Sequence, residues 1–266
     1  MTQAEELLQQ GELDKALQSL QQAIRKEPSN AKLRIFLFQL LCIIGDWQRA
    51  LSQLDVAGDM DPLNLPMAQT YREAIQCELF RKEVFNGERS PLIFGEPPQW
   101  SAFLIEALRH AGHGEYSQSE EMRNRAFEQA PATAGSIDGQ PFEWIADADN
   151  RIGPMLEAII NGRYYWIPML RLKEITIEPP EDLRDMVWAP AHLTFENEGQ
   201  SVALIPTRYT TTEDHDDAML KLARKTEWQE PHPGLYSGLG QRMLATNQDE
   251  YPLLGTRQIV FQLPQD

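Results

Sequence analysis

The sequence predicts a fold in two parts, a helical solenoid followed by a compact β-rich domain that is barrel-like or built on a strongly curved sheet. Up to residue 131, a helix-turn-helix pattern recurs at a constant interval. From residue 137 onward, apolar and polar residues alternate or form short runs rich in β-branched and aromatic side chains, as strands do. We therefore divide the chain into a helical-repeat domain at 1–131 and a β-rich domain at 137–266.

Two stretches with the same residues at the same places reveal the repeat. GELDKALQSLQQAIRKEP begins at Gly11 and GDWQRALSQLDVAGDMDP begins at Gly45, an offset of 34 residues. Glycine suits the turn between two antiparallel helices, alanine allows close helix contact, and the shared proline ends the second helix. Period and residues resemble the tetratricopeptide family. A third, less complete copy keeps Gly114, Ala126 and Pro131 in register.

Stacked repeats of this kind present a concave groove that commonly takes a partner helix or an extended peptide. In tetratricopeptide geometry the first helix of each pair lines the groove. The same positions also suit plain core contacts with a neighbouring helix, so both interpretations stay open. The candidate partner-binding residues are Ile35, Gln39, Ile43, Leu104 and Leu108.

The β-rich half contains two hairpin signals. Asn161-Gly162 separates two strand-like runs and is the strongest of them. A second turn is predicted at 197–199, a closing strand at 257–263, and a helix at 213–225.

The composition disfavours several classes of function, although it leaves room for a local basic patch. The net charge of −16 repels phosphate backbones, so we do not expect a nucleic-acid partner. The N-terminus lacks the features of a signal peptide, and no apolar run is long enough to span a bilayer, so we expect a soluble cytoplasmic protein without a membrane partner. Cys42 and Cys77 lie in predicted helices and are expected to be buried thiols.

Residues able to perform catalysis or bind metals occur, but not at the spacings that such chemistry requires. Asp147 and Asp149 could hold Mg²⁺, yet Arg151 stands at the next alternate position and favours an Asp–Arg salt-bridge network. The acidic cluster at 213–217 suits the first turn of a helix better than a divalent ion. The glycines around Gly240 lack the third glycine of a dinucleotide fingerprint. We therefore expect no enzyme activity, no cofactor and no metal.

Arginines beside tryptophan or tyrosine recur along the β-rich half, a combination that suits either a buried network or a protein interface. The motifs FEWIADADNRIGPMLEAIINGRYYWIP, LRDMVWAPA, IPTRY, LARKTEW and GLGQR, in this order after a helical repeat, resemble the ImpE family, also called TagJ, of type VI secretion accessory proteins. The resemblance covers essentially the whole chain. It marks family-typical positions without assigning them a role: Asp147, Asp149, Arg151, Trp166, Arg184, Asp185, Trp188, Arg208, Tyr209, Glu227, Trp228, Gln241 and Arg242.

The resemblance implies a non-enzymatic adaptor of the type VI secretion system. Family members associate with the small subunit of the contractile sheath, through a short helix near the N-terminus of that subunit. They are thereby linked to the sheath and to the ATPase that disassembles it. The alternative is a β-rich domain that binds a small molecule or catalyses a reaction, with the helical repeats as a docking module.

Overall fold

The computed structural model describes residues 2–262, and helices dominate the first half. Their bounds are α1 (Gln3–Gln9), α2 (Leu13–Lys26), α3 (Ala31–Ile44), α4 (Trp47–Met60), α5 (Leu65–Phe85), α6 (Gln99–Gly112) and α7 (Tyr116–Gln129). None of the helices in the described part of the chain combines the length and the apolar character needed to cross a bilayer.

Three antiparallel helix pairs, α1–α2, α3–α4 and α6–α7, follow the predicted repeat, and the longer α5 lies between the second and third pairs. Gly11, Gly45 and Gly114 occupy the predicted turns with φ of 79°, 89° and 75°, a region that glycine enters without strain. Ala16 and Ala50 are fully buried, so the paired helices approach closely. The expected helical repeat region is therefore present.

The second half of the described chain consists mainly of strands, together with one short α-helix, α8 (Ala218–Lys221), and the strand numbering begins with a two-residue strand between α5 and α6. The strands are β1 (Leu92–Ile93), β2 (Gly135–Ile137), β3 (Gln140–Phe142), β4 (Ile145–Asp147), β5 (Met155–Ile160), β6 (Arg163–Pro168), β7 (Leu172–Ile177), β8 (Trp188–Phe195), β9 (Gln200–Pro206), β10 (Thr226–His232), β11 (Leu235–Gly240), β12 (Met243–Thr246), β13 (Glu250–Pro252) and β14 (Gln258–Phe261).

Nine of these strands form one sheet in the order β1-β6-β5-β9-β8-β7-β14-β2-β3. The edge strand β1 comes from the helical half and pairs in parallel with β6. Strands β4, β12 and β13 form a three-stranded sheet, and β10 and β11 form a separate hairpin. Within residues 2–262 the large sheet is open at both edges, so the expectation of a barrel-like domain is not confirmed.

The local turn signals are found where the sequence places them. Asn161 and Gly162, with φ of 49° and 71°, connect β5 to β6, and the register pairs Ile160 with Arg163. The second predicted turn connects β8 to β9, with Glu198 at a φ of 63°. The predicted closing strand corresponds to β14, and residue 263 lies outside the described residues.

The helix predicted at 213–225 is wrong in extent, because only Ala218–Lys221 is α-helical. Thr211 and Ala223 have positive φ values of 67° and 52°, which interrupt a helix on either side. The Thr212 hydroxyl donates to the Tyr209 carbonyl and accepts from the Gly240 backbone N–H, at 2.7 and 2.9 Å. These tertiary bonds hold the segment in an irregular conformation despite its helical pattern.

Two hydrophobic cores lie on opposite faces of the large sheet. One is shared by the helices and by residues of the β-rich half, including Trp166, Trp188 and Tyr209. The other is built within the β-rich half around residues such as Ile167 and Ile205. Because the first core draws on both halves, the helical array and the sheet pack as one unit. Cys42 and Cys77 are buried free thiols.

Candidate functional site

The β-rich half covers part of the helical face that the repeat pattern assigns to the groove. Trp188 packs between Trp47 and Tyr71, with ring centroids 6.1 and 5.7 Å away. The Arg208 guanidinium donates to the carbonyl oxygens of Cys42 and Ile43 at 3.2 and 2.9 Å, at the end of α3. The carboxyl-terminal half of α3 is therefore occupied by the chain itself.

A cleft of about 650 Å³ remains open beside the amino-terminal half of α3. Its walls are α1, α3 and the segment 181–183 that precedes β8. We call it the α1–α3 cleft. Ile35 and Gln39, one helical turn apart, both line it. Its apolar wall consists of Leu8, Leu33, Ile35, Phe36 and Leu183.

Charged side chains surround this apolar wall. Glu5, Glu181 and Asp182 line the cleft, together with one cation, Lys32. The wall is therefore bordered by three carboxylates and a single ammonium group.

The other three groove candidates lie elsewhere. Ile43 and Leu104 are 0 % exposed and Leu108 is 3 % exposed, all within the shared core. Helix α6, which carries the two leucines, packs against α5 and α7. These three residues have no surface available to a partner, so the structure separates the candidate set into two cleft residues and three core residues.

A network of buried charges lies where α5 meets the large sheet. Glu157 of β5 accepts from Arg81 of α5, with Nε–Oε1 and Nη2–Oε2 distances of 2.6 and 3.0 Å. It also accepts from the Tyr164 hydroxyl and from the guanidinium of Arg242. Arg242 in turn contacts the carboxylate of Asp147. The network thus connects a helix of the first half to four segments of the second half.

Aromatic donors extend this network. The Tyr209 hydroxyl donates to Asp147 Oδ1 at 3.1 Å, and the Trp166 indole donates to the Tyr164 hydroxyl at 2.7 Å. The Trp188 indole donates to Glu78 Oε1 on α5 at 3.0 Å. Buried tryptophan and tyrosine need such partners for their polar atoms. The aromatic–arginine motifs of the sequence therefore contribute to one internal network here.

Asp149 and Arg151 form the ion pair that their spacing favours. Arg151 Nη2 lies 2.5 Å and Nε 2.9 Å from the two carboxylate oxygens of Asp149. Asp149 Oδ2 also accepts from the Gly238 backbone N–H at 3.1 Å, which fixes β11 against this turn.

Two carboxyl groups of the network have opposite pKa shifts. Burial raises the pKa of Asp147 to about 6, with Arg242 opposing the rise and Asp149 adding to it. Burial also acts to raise the pKa of Glu157, but the charges of Arg81 and Arg242 outweigh it and hold the pKa at about 2. Glu157 is therefore ionised at neutral pH, whereas Asp147 changes protonation just below it.

Replacing Asp147 with asparagine should change the stability by an amount that depends on pH. Asp147 has a pKa of about 6 in the folded protein against an ordinary value of 3.8, so its ionisation destabilises the fold as the pH rises through this interval. The free energy of unfolding of the wild type, relative to Asp147→Asn, should fall by up to about 3 kcal/mol over this range. Urea denaturation of both proteins across the range measures it, and a difference independent of pH would contradict the raised pKa.

Arg184 and Asp185 shape the segment beside the α1–α3 cleft. The Asp185 carboxylate accepts from the backbone N–H groups of Glu181 and Asp182, both at 2.8 Å. Arg184 pairs with Asp182 at 2.5 Å and lies over the ring of Tyr71, 4.6 Å from its centre. These two family-typical residues therefore set the position of one wall of the cleft.

The remaining family-typical residues lie around β10 and β11. Gln241 donates to the Ala223 carbonyl at 2.7 Å, which is a structural contact. Glu227 pairs with Lys225 at 2.5 Å on the surface. Trp228 is 40 % exposed. The predicted set thus divides into a buried network, a cleft wall and an exposed hairpin.

The sequence interpretation missed the centre of the network, Arg81 with Glu157 and Tyr164. A signal for Glu157 was present, because a single carboxylate interrupts the apolar strand MLEAII. A buried charge of this kind requires a partner. Among the described residues, no group of three or more His, Cys, Asp or Glu side chains is arranged to hold a metal ion.

Comparisons with known proteins identify both halves of the chain. The profile of the family described as "ImpE protein" matches residues 139–260, and a tetratricopeptide-repeat profile matches residues 7–75. A protein of Vibrio parahaemolyticus, VPA1032, has a crystal structure with a TM-score of 0.89 to this one. It is 25% identical in sequence, and the match covers 99% of this chain and 98% of that one.

The "Type VI secretion system accessory component TagJ" of Pseudomonas aeruginosa is 51% identical to this chain over 263 residues. The alignment covers 97% of this chain and 91% of that protein. The resemblance carried by the motifs of the β-rich half is thereby confirmed. Identity at this level over nearly the full length of both proteins shows that the chain belongs to the ImpE family.

Proposed function

We propose that this protein is a non-enzymatic, cytoplasmic adaptor of the type VI secretion system that binds the N-terminal helix of the small contractile-sheath subunit in the α1–α3 cleft. The observation that carries the proposal is an open, apolar-walled cleft on the first helices of two tetratricopeptide-like pairs. The name of the relative TagJ, an accessory component of this secretion system, supports the pathway.

The shape of the cleft favours one face of an amphipathic helix as its occupant. A volume of about 650 Å³ accommodates several side chains but not a whole helix, whose diameter is about 10 Å. Apolar side chains at helical spacing would contact Leu33, Ile35 and Phe36. The surrounding carboxylates favour basic residues on either side of that apolar face.

Binding the sheath subunit in this way would connect the adaptor to the assembled sheath. Through the sheath it would also come close to the ATPase that disassembles it. The adaptor would thereby modulate assembly or disassembly without performing chemistry itself.

Gln39→Arg should weaken binding of a synthetic peptide of the subunit's N-terminal region by about tenfold or more, which corresponds to about 1.4 kcal/mol. Gln39 lines the cleft and is 6 % exposed. A longer cationic side chain would occupy the cleft and repel a basic partner. Calorimetric titration measures the affinity well below the melting temperature, which should fall because a cation replaces a largely buried amide.

The matched control is Gln76→Arg, the same substitution at an exposed position of α5 outside the cleft. It should bind the peptide like the wild type. If Gln39→Arg binds with unchanged affinity, the proposed binding site is wrong.

Small-molecule binding in the β-rich half is the second candidate function. A cleft of about 440 Å³ beside Trp144, Phe127 and Asp147 favours it, although neither Arg184 nor Trp228 lines that cleft. A metabolite panel that raises the melting temperature by more than about 4 °C would support this function over the adaptor.

A further inference from the structure

A second concavity lies on the other side of α3, between α2, α3 and α4. Its volume is about 370 Å³. Three arginines surround an apolar floor, and we call this surface the arginine pocket. Its lining includes Arg25, Arg34 and Arg49 around Ile24, Pro28 and Leu37.

The arginine pocket and the α1–α3 cleft use opposite faces of α3. Arg34 and Leu37 line the pocket, whereas Ile35 and Gln39 line the cleft. At 3.6 residues per turn these two pairs point in nearly opposite directions. Both surfaces can therefore be occupied at the same time.

The charge of the pocket contrasts with that of the chain. The protein carries 40 Asp and Glu residues against 24 Lys and Arg residues, yet three arginines converge here. Arg49 pairs with Asp46 at 2.9 Å. Across residues 2–262, no carboxylate lies within ion-pair distance of Arg25 or Arg34, and Arg34 donates instead to the amide oxygen of Gln53 at 3.1 Å.

Local structural roles account for only part of this arrangement. Arg25 lies in the last turn of α2, where a cation stabilises the helix dipole. Arg49 lies in the first turn of α4 and forms an ion pair with the N-cap residue Asp46, so it has a structural role there. Arg34 has neither explanation, and its Nε atom is buried without an acceptor in the described part of the chain. Grouping like charges costs free energy, which a partner of opposite charge recovers.

We propose that the arginine pocket binds an acidic segment of a second protein partner, one that presents carboxylates beside an apolar side chain. Guanidinium groups match carboxylates through paired hydrogen bonds, which gives geometry as well as charge. The apolar floor formed by Ile24, Pro28 and Leu37 accepts the neighbouring side chain of such a segment. A phosphate backbone has no apolar group that could contact this floor, so a peptide fits the pocket better than a nucleic acid.

This surface extends the adaptor function, because an adaptor has to hold two partners. The α1–α3 cleft would hold one and the arginine pocket the other. The inference rests on the pocket itself and does not depend on the identity of the partner in the cleft.

The test uses the full-length protein and a fluorescein-labelled amphipathic peptide built from glutamate and leucine, followed by fluorescence anisotropy. A matched peptide carries glutamine in place of each glutamate. The glutamate peptide should bind about tenfold or more tightly than the glutamine peptide. The double variant Arg25→Gln, Arg34→Gln should weaken its binding by a similar factor.

The control is a double variant of equal charge, Arg72→Gln with Arg109→Gln. Arg72 is partly exposed and Arg109 is exposed, and each is paired, with Asp55 at 2.6 Å and Glu106 at 2.9 Å respectively. It should bind the glutamate peptide like the wild type. The Gln39→Arg variant of the cleft should also retain this binding. The two proposed binding sites can therefore be tested independently.

Several results would overturn the assignment. Equal binding of both peptides, or unchanged binding by Arg25→Gln, Arg34→Gln, would show that the pocket does not recognise carboxylates. A changed affinity of the glutamate peptide for Gln39→Arg, in either direction, would place the peptide in the cleft. Tighter binding of a short single-stranded oligonucleotide than of the glutamate peptide would assign the pocket to a nucleic acid.

Discussion

Replacing Glu157 with glutamine should destabilise the protein by about 3–5 kcal/mol, the usual cost of leaving a buried charge without its partner. The substitution preserves the shape of the side chain but removes the negative charge that two buried arginines share. Arg81 and Arg242 both contact this carboxylate, and all three side chains are nearly or fully buried. Because neither guanidinium can deprotonate, their mutual repulsion would remain within the core.

Chemical denaturation with urea measures this loss, and the melting temperature should fall by roughly 10 °C. Glu106→Gln is the matched control, because it removes a carboxylate from an exposed pair with Arg109. That change should cost less than about 1 kcal/mol. In an Arg81→Gln background the cost of Glu157→Gln should shrink, since one of the stranded charges is gone. If Glu157→Gln and Glu106→Gln both lowered the stability by the same small amount, the buried network would not have the structural role assigned to it.

The helical half, expressed alone as residues 1–131, should fail to form a rigid tertiary structure. In the whole protein its core includes Trp166, Trp188 and Tyr209 from the second half. Truncation of a single buried aromatic residue costs about 3–5 kcal/mol, and the loss of three approaches the whole stability of a typical domain. The separation also leaves Arg81 without Glu157.

The measurement compares near-ultraviolet circular dichroism and binding of a hydrophobic dye for the fragment and the full-length protein. The fragment should keep part of its helical signal while it loses near-ultraviolet structure and binds dye. The full-length chain should unfold in one transition, seen alike by circular dichroism and tryptophan fluorescence. A cooperative melt of the fragment would mean that three helix pairs suffice for stability.

The features that the sequence predicts well are those decided within a few residues. Gly45 marks a helix turn because the backbone there requires a positive φ, and Asn161-Gly162 marks a hairpin for the same reason. The 34-residue period is also a local signal, because each repeat is a helix pair whose geometry is set within its own residues.

The features that the sequence does not predict depend on residues far apart in the chain. Arg81 and Glu157 are 76 positions apart, and Arg242 lies 85 positions beyond Glu157. No spacing rule connects such residues, so their pairing emerges only with the fold. Trp188 likewise carries no local sign that it packs between Trp47 and Tyr71. Ile43 is buried for this reason, since it lies at the end of α3 that Arg208 holds, whereas Leu104 and Leu108 are buried where α6 packs against α5 and α7.

The bonds from Arg208 have a mechanical consequence for an adaptor. Its guanidinium holds the last carbonyl groups of α3 and also the carbonyl of Lys221, which ends α8. Helix α3 therefore cannot slide along its axis or rotate without breaking bonds to the β-rich half. A pull applied by a partner at the amino-terminal half of α3 would pass through Arg208 into the β-rich half. The protein would transmit such a force as a rigid body and would not bend between the helical array and the β-rich half.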